Sequence, residues 1–282
     1  MLHSILRTAN RCNPTTRGKH RVISLARRLH ALPGDGVHTV NMGLRMHLRL
    51  DQFIDRTVYF YAYEPCLTRT LLKRLSRGAT FVDVGANIGY YTLLAARTVG
   101  PQGRVFSFEP QPEVYRRLSS NIQLNELTNV RLFNCALADT KQTVTLCVPP
   151  QDVGFGHASL KEQGWESADR FEVEAHPLDD LLAGQTERVD VIKVDAEGAE
   201  AAILRGARNT LCDHRPDLFV ELNAEAMATF GYKPIELIEY IVDCYDGYRF
   251  AQITGHRMRD ASLEEFRRNP ELCSGDLLAY VP

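Results

Sequence analysis

The chain has 282 residues, 44% hydrophobic and 24% charged, which excludes a disordered segment or a fibre and suffices for one large α/β domain with a modest extension. The net charge of −2 is the balance of +8 on residues 1–50, where nine basic side chains meet the single acid Asp35, and −10 on the remainder. Seven cysteines without a C-x-x-C pair exclude a disulfide framework and a zinc signature, and no apolar run is long enough for a transmembrane helix.

Several cysteines lie in apolar stretches such as Phe133-Asn-Cys135, where a thiol is a small hydrophobe, so a reducing, cytoplasmic setting is expected. The Arg-rich, nearly acid-free start also has the composition of an organellar transit peptide. Residues 1–36 read as a basic, partly helical extension. Val22–Leu32 has helical spacing, and Pro33-Gly-Asp-Gly36 ends it. Such an arm either stays solvated or touches an anionic surface weakly through residues 1–50.

Residues 37–282 read as one domain. Leu44, Met46, Leu48 and Leu50 alternate with polar positions, which predicts a hairpin with Asp51–Gln52 near its turn. Glu64-Pro65 opens a helix through Ser76, with proline at the first turn. From Thr80 short strands and helices alternate. Strands are expected at Thr80–Val84, Arg104–Phe108, Val130–Cys135, Asp190–Val194 and Asp217–Leu222, with helices at Tyr90–Thr98, Pro112–Glu126, Ala199–Arg208 and Pro234–Cys244. This rhythm predicts right-handed β-α-β units around a parallel sheet. Thr143–Val148 and Phe171–His176 flank a loop rich in Gly, His and Ser, and Tyr248–Ile253 and Leu277–Val281 read as antiparallel closing strands.

The segment Phe81-Val-Asp-Val-Gly-Ala-Asn-Ile-Gly89 takes a buried strand into a tight turn and a helix, where open parallel sheets bind ligands. Only two glycines stand there, four apart, so the G-x-G-x-x-G cradle for a pyrophosphate is absent. Asp83 places a carboxylate at the strand end, which suits a cationic cofactor. Gly85 lets backbone approach a ligand, and Gly89 lets the helix pack against the strand. Glu109 follows the next strand, twenty-six residues on, where a carboxylate can accept both hydroxyls of an adenosine ribose. Either acid alone reads equally as a turn cap or a helix-start residue. Two at equivalent ends of consecutive units favour a ligand.

The ordered set Asp83-Val-Gly-Ala-Asn-Ile-Gly89, Phe108-Glu-Pro110, Asn134-Cys-Ala-Leu-Ala-Asp139, Lys193-Val-Asp-Ala-Glu-Gly-Ala-Glu200 and Leu204-Arg-Gly206 resembles the FkbM family of methyltransferases. The resemblance covers residues 58–222. It implies a Rossmann-like class I methyltransferase, a three-layer sandwich whose mostly parallel seven-stranded sheet has an antiparallel closing strand. It also implies S-adenosyl-L-methionine as methyl donor and a hydroxyl on a small molecule, secondary metabolite or glycan as acceptor. Asp83, Gly85, Asn87 and Gly89 would then hold the methionine end, Glu109 the ribose, and Asn134 and Ala136 the adenine. Ala196-Glu-Gly stands where Val-Glu-Gly is more usual.

A second group of charges lies at Lys193, Asp195, Glu197 and Glu221. Alternation puts Lys193 and Asp195 on one side of their strand, and Glu221 ends the neighbouring one. Methyl transfer needs alignment of acceptor oxygen, methyl and sulfur, and a group that takes the acceptor's proton. Asp195 and Glu197 are the leading candidates, and His157, on the loop before the fourth strand, is the runner-up. Lys193 also reads as a structural partner of Asp195, Glu197 as a helix-dipole residue and His157 as a surface histidine. Glu64 reads as reaching the cofactor's amino group or capping its helix. Several acids on one rim also suit Mg²⁺, but without a clean ligand pattern no metal is expected. The alternatives are an NAD-dependent oxidoreductase on a similar fold and a degenerate, partner-binding methyltransferase domain. A nucleic-acid partner is not expected, because the body is acidic and repels phosphate.

Overall fold

Leu44, Met46, Leu48 and Leu50 are all fully buried, so the alternation that marks a strand does define an inward face. The computed structural model describes residues 2–13, 18–148, 160 and 169–282. Its chain begins with helices α1 (Leu2–Cys12) and α2 (Lys19–Arg28), followed by a hairpin of β1 (Gly36–Thr39) and β2 (Arg45–Leu48). The hairpin turns at 40–44, where Val40 N–H donates to the Leu44 carbonyl at 2.7 Å, and not at Asp51–Gln52. After Leu50 the chain enters a helix, α3 (Phe53–Tyr59). Helix α2 stops short of the expected Leu32. The His30 N–H donates to the Arg27 carbonyl and the Ala31 N–H to the Ala26 carbonyl, a Schellman ending with His30 at φ 48° in the place glycine usually takes.

Helix α4 (Pro65–Arg74) leads into the units β3 (Thr80–Val84), α5 (Tyr90–Val99), β4 (Arg104–Phe108), α6 (Pro112–Leu124) and β5 (Val130–Phe133). Next come β6 (Ala136–Leu137), β7 (Gln142–Val148), β8 (Asp169–His176), α7 (Leu178–Leu182), β9 (Val191–Val194), α8 (Glu200–Arg205), β10 (Asp217–Leu222), α9 (Ala224–Thr229) and α10 (Pro234–Cys244). The chain closes with β11 (Arg249–Thr254), β12 (Arg257–Ala261), α11 (Leu263–Arg268) and β13 (Gly275–Tyr280).

The main sheet has the order β12-β11-β13-β10-β9-β3-β4-β5. β5, β4, β3, β9 and β10 are parallel neighbours. β13 is antiparallel to β10 and β11 on either side, so of the two expected closing strands only β13 runs against the sheet. The sheet has eight strands rather than seven, because Arg257–Ala261 folds back on β11. Four of its five residues are exposed, and a charged edge strand carries no apolar alternation to announce it. β7 and β8 pair in a small separate sheet with β6.

Strands buried on both faces feed two cores. Phe81 joins Leu71, Leu93 and Leu118 on one face. Val82, its neighbour in β3, joins Ile203, Leu237 and Ile241 on the other. The result is a three-layer sandwich with a core on each face of the sheet. From β3 the chain runs outward to β4 and β5 and returns on the opposite side at β9, so the topological switch point lies between β3 and β9. Among the described residues no helix is long and apolar enough to cross a membrane, and all seven cysteines are free thiols.

Asp55 ties α3 to the body. It accepts the Arg49 N–H at 2.7 Å and pairs with Arg117 of α6. Asp55→Ala leaves the Arg117 guanidinium without its carboxylate, with only the His47 carbonyl at 3.5 Å among the described residues, and the Arg49 N–H without its acceptor. It is expected to lower stability by about 3 kcal/mol, read from urea unfolding followed by circular dichroism. A loss under about 1 kcal/mol would show that this pair is not what joins α3 to α6.

Candidate active site

A cavity of about 480 Å³ opens at the carboxyl ends of β3, β4, β9 and β10, with Val84, Phe108, Asp195 and Glu221 on its wall. Asp83 does not stand on that wall. It is buried beneath the loop, where one carboxylate oxygen accepts the Thr92 hydroxyl at 2.6 Å, itself 2.9 Å from the Ser107 hydroxyl. The other oxygen, Oδ1, has no hydrogen-bond partner among the described residues. Burial pushes the Asp83 carboxyl up from its ordinary pKa, against the pull of the Lys193 charge. Gly85 does line the cavity. At φ 74° its missing side chain also makes room for the Asp195 carbonyl, with which a Cβ would collide, so this glycine lets β3 and β9 converge. Gly89 lies off the wall, and its close neighbour is Leu118 of α6 rather than the strand.

Asn87, at φ 51°, lines the cavity and donates its N–H to Glu109 Oε2 at 2.9 Å. The Gln111 N–H takes Glu109 Oε1, also at 2.9 Å. Two backbone donors thus fix the carboxylate at the end of β4, one on each oxygen, with further lone pairs on each. Burial pushes the Glu109 pKa up to about 7, and these two hydrogen bonds restrain it. Asn134 lies off the wall. Its amide donates to the carbonyls of Glu109 and Pro110 at 2.8 and 3.1 Å, so it holds the turn that carries Glu109. Ala136 and its neighbour Cys135 do line the cavity.

At the other end carboxylates gather around one ammonium. Lys193, 3% exposed, donates to Asp195 Oδ2 at 2.9 Å and lies 5.0 Å from the centre of the Tyr91 ring. Burial alone would lower its pKa, but Asp195, Asp83 and Glu64 together raise it above the usual lysine value. Tyr91 donates its hydroxyl to Glu64 at 2.7 Å. Glu64 lines the cavity and makes no side-chain cap of its helix. Glu221 hydrogen-bonds Asp195, and its pKa is pushed up to about 9, first by the Asp195 charge and then by burial. Asp276 faces Glu221 across β10 and β13. Its pKa is pushed up to about 8 by burial and then by Glu64.

Glu197 also lines the cavity, but it is no helix residue. It sits at φ 50° in a loop held by Glu200, whose Oε1 accepts the N–H groups of Ala196 and Gly198 at 3.0 and 3.2 Å. Burial pushes the Glu200 pKa up to about 7. His157 lies outside the described residues. Asp276 and the supporting role of Glu200 escape a reading by sequence. Glu200 stands in the Lys193–Glu200 motif itself, whereas Asp276 reaches the site through a pairing with no local signal. Among the described residues no three His, Cys, Asp or Glu side chains are arranged to hold a metal ion.

Lys193→Met removes the only cation on the cavity wall among the described residues. The raised carboxyls Asp83, Glu64, Glu221 and Asp276 favour folding at low pH and cost stability as pH rises through their folded values. Without the ammonium those values rise further. The variant is therefore expected to match wild type near pH 4.5 and to fall about 2 kcal/mol or more below it at pH 8, read from urea unfolding at both pH values. Parallel profiles for the two proteins would show that Lys193 does not balance these acids.

A family model for the methyltransferase FkbM domain matches residues 83–250. The chain is 33% identical over 153 residues to methyltransferase sdnD of Sordaria araneosa, covering 44% of this chain and 59% of that one. It is 26% identical over 149 residues to the hexuronic acid methyltransferase AglP of Haloferax volcanii, covering 52% and 58%. To the 2-O-methyltransferase NoeI of Sinorhizobium fredii it is 28% identical over 150 residues, covering 48% and 59%. The chain thus spans about three fifths of the length of these curated relatives. The matched segment runs from Asp83, at the end of the first core strand, past the acidic group of β9 and β10 to Phe250, and the chain belongs to the FkbM family of methyltransferases.

Proposed function

We propose that the chain transfers a methyl group from S-adenosyl-L-methionine to a hydroxyl of a small molecule, secondary metabolite or glycan. One observation carries this reading: the anchored Glu109 carboxylate and the Asp195–Glu221 pair open onto the same cavity. The donor set fits the cofactor. Glu109 keeps lone pairs for two ribose hydroxyls, Ala136 offers an apolar flank to adenine, and among the described residues carboxylates outnumber the Lys193 ammonium where the cofactor's sulfonium and amino group need negative charge. When bound, the cofactor supplies a methyl group on a positively charged sulfur. The name of one relative, a 2-O-methyltransferase, supports oxygen as the acceptor atom, and that of another, a hexuronic acid methyltransferase, supports a sugar acceptor. The seven free thiols fit the reducing cytoplasm.

The chain's own groups divide the work. Gly85 and Asn87 form the loop that faces the methionine end, and Asp83 and Gly89 shape it from beneath. Asn134 positions Glu109 through the turn it holds. Asp195 takes the acceptor's hydroxyl proton at a carboxylate oxygen, Glu221 holds that carboxylate from one side through its own proton, and Lys193 fixes it from the other. Glu197, on the same wall, orients the acceptor. Glu197 and, after it, His157 are the other bases that the sequence offers.

Isothermal titration with S-adenosylhomocysteine tests the cofactor assignment, with NAD as a control. Wild type is expected to bind with roughly micromolar affinity, and Glu109→Ala at least about tenfold more weakly, a change of about 1.4 kcal/mol. A carboxylate that accepts ribose hydroxyls binds best ionised, so affinity is expected to rise with pH through about 7, less steeply in Glu109→Gln. Failure of well-folded protein to bind, or preference for NAD, would overturn the reading.

A further inference from the structure

Most basic residues of the N-terminal region lie exposed, but Arg11 and Lys19 meet Arg69 at a second cavity. That cavity, of about 460 Å³, lies against the Tyr63 and Tyr90 rings, which also line the first cavity and meet edge to face at 5.4 Å. Arg11, Lys19 and Arg69 line this second cavity, and among the described residues no carboxylate does. The first cavity is its opposite, with Glu64, Glu109, Asp195, Glu197 and Glu221 around Lys193.

Lys19 is 6% exposed, and its ammonium donates to the Asn10 carbonyl at 2.5 Å. Burial, and then the charge of Arg69, hold its pKa below the usual lysine value. A desolvated cation beside like charges and no acid is a costly arrangement that an anion relieves. Asn41 lines the same cavity. Its side-chain oxygen is buried and has no hydrogen-bond partner among the described residues, and a hydroxyl donor satisfies such a group.

We propose that this second cavity binds the anionic group of the methyl acceptor, which is therefore a hydroxyl compound carrying a carboxylate, sulfate or phosphate. The two cavities sort charge. Carboxylates on one side of the tyrosine pair draw the cationic cofactor and repel an anion, while cations on the other side draw it in. A compound lying along Tyr63 and Tyr90 presents its hydroxyl toward Asp195 and its anion toward Lys19. The volume is of the size that small-ligand sites use. The acceptor assignment rests on the methyltransferase reading, and the anion site itself does not.

The test is calorimetric titration of D-glucuronate, D-glucose and inorganic sulfate into the full chain, with S-adenosylhomocysteine as a separate arm. The comparison is with the Arg11→Gln/Arg69→Gln double variant, both arginines being exposed. Glucuronate and sulfate are expected to bind wild type and to bind the double variant at least about tenfold more weakly, with added salt weakening both. Glucose is expected not to bind, and the S-adenosylhomocysteine affinity to change less than about twofold. The proposal is overturned if glucuronate fails to bind, binds the double variant as tightly as wild type, or binds no better than glucose. Sulfate binding without glucuronate binding overturns the acceptor assignment as well. Glucuronate binding where S-adenosylhomocysteine binding is absent supports the anion site and strikes the cofactor reading alone.

Discussion

The rim of the candidate site depends on one buried ion, the Lys193 ammonium. Asp83 on β3, Asp195 just after β9 and Glu64 at the start of α4 all act on it. Two carboxylates 4 Å apart repel by about 4 kcal/mol at an effective dielectric constant of 20, so such a group cannot stay ionised around an empty centre. The lysine offsets that repulsion and ties the end of β9 to its neighbours. Negative charge beyond what it balances is carried as shared protons, which is why Glu221 and Asp276 hold their protons to about 9 and 8. The rim is thus negative enough for a cationic ligand and protonated enough to survive without one. Asp195 sits at the junction, bonded to Lys193 on one side and to Glu221 on the other.

Much of this was legible in the sequence because it is local. The alternation of short strands and helices from Thr80 onward follows from burial on both faces of a parallel sheet. The Asp83 and Glu109 carboxylates stand out because each lies near the carboxyl end of a strand. Even so, periodicity gives the face a side chain points to and not its depth. Asp83 lies inside β3, one residue before its end, and is buried under the loop, whereas Glu109 lies one residue beyond β4 and reaches the cavity. Glu197 and Glu200 show the same limit. Both acids stand in one motif, but the left-handed backbone at Glu197 turns the first to the cavity and leaves the second to hold the loop.

What stayed hidden is non-local or chemically atypical. Asp276 joins the site because β13 inserts antiparallel between β10 and β11, a pairing that no spacing along the chain encodes. The end of α2 is a Schellman turn at His30, and glycine is the usual signal for that turn. β12 is an edge strand of Arg, Met, Arg, Asp and Ala, readable only once β11 is in place to pair with it.

The N-terminal charge explains why two cavities of opposite sign can coexist a tyrosine's width apart. Arg7 is satisfied by the Tyr59 carbonyl and by the faces of Tyr59 and Tyr61 at 4.3 and 4.9 Å, and Lys19 by the Asn10 carbonyl. Carbonyls and ring faces orient a cation without cancelling its charge. Acids in those places would have neutralised the region and left the interior acids as the only field near Tyr63 and Tyr90. Instead the field changes sign across that pair, and a hydroxyl compound with one anionic end meets a single favoured orientation there. Orientation is what in-line methyl transfer requires, since the acceptor oxygen must lie on the axis of the breaking bond.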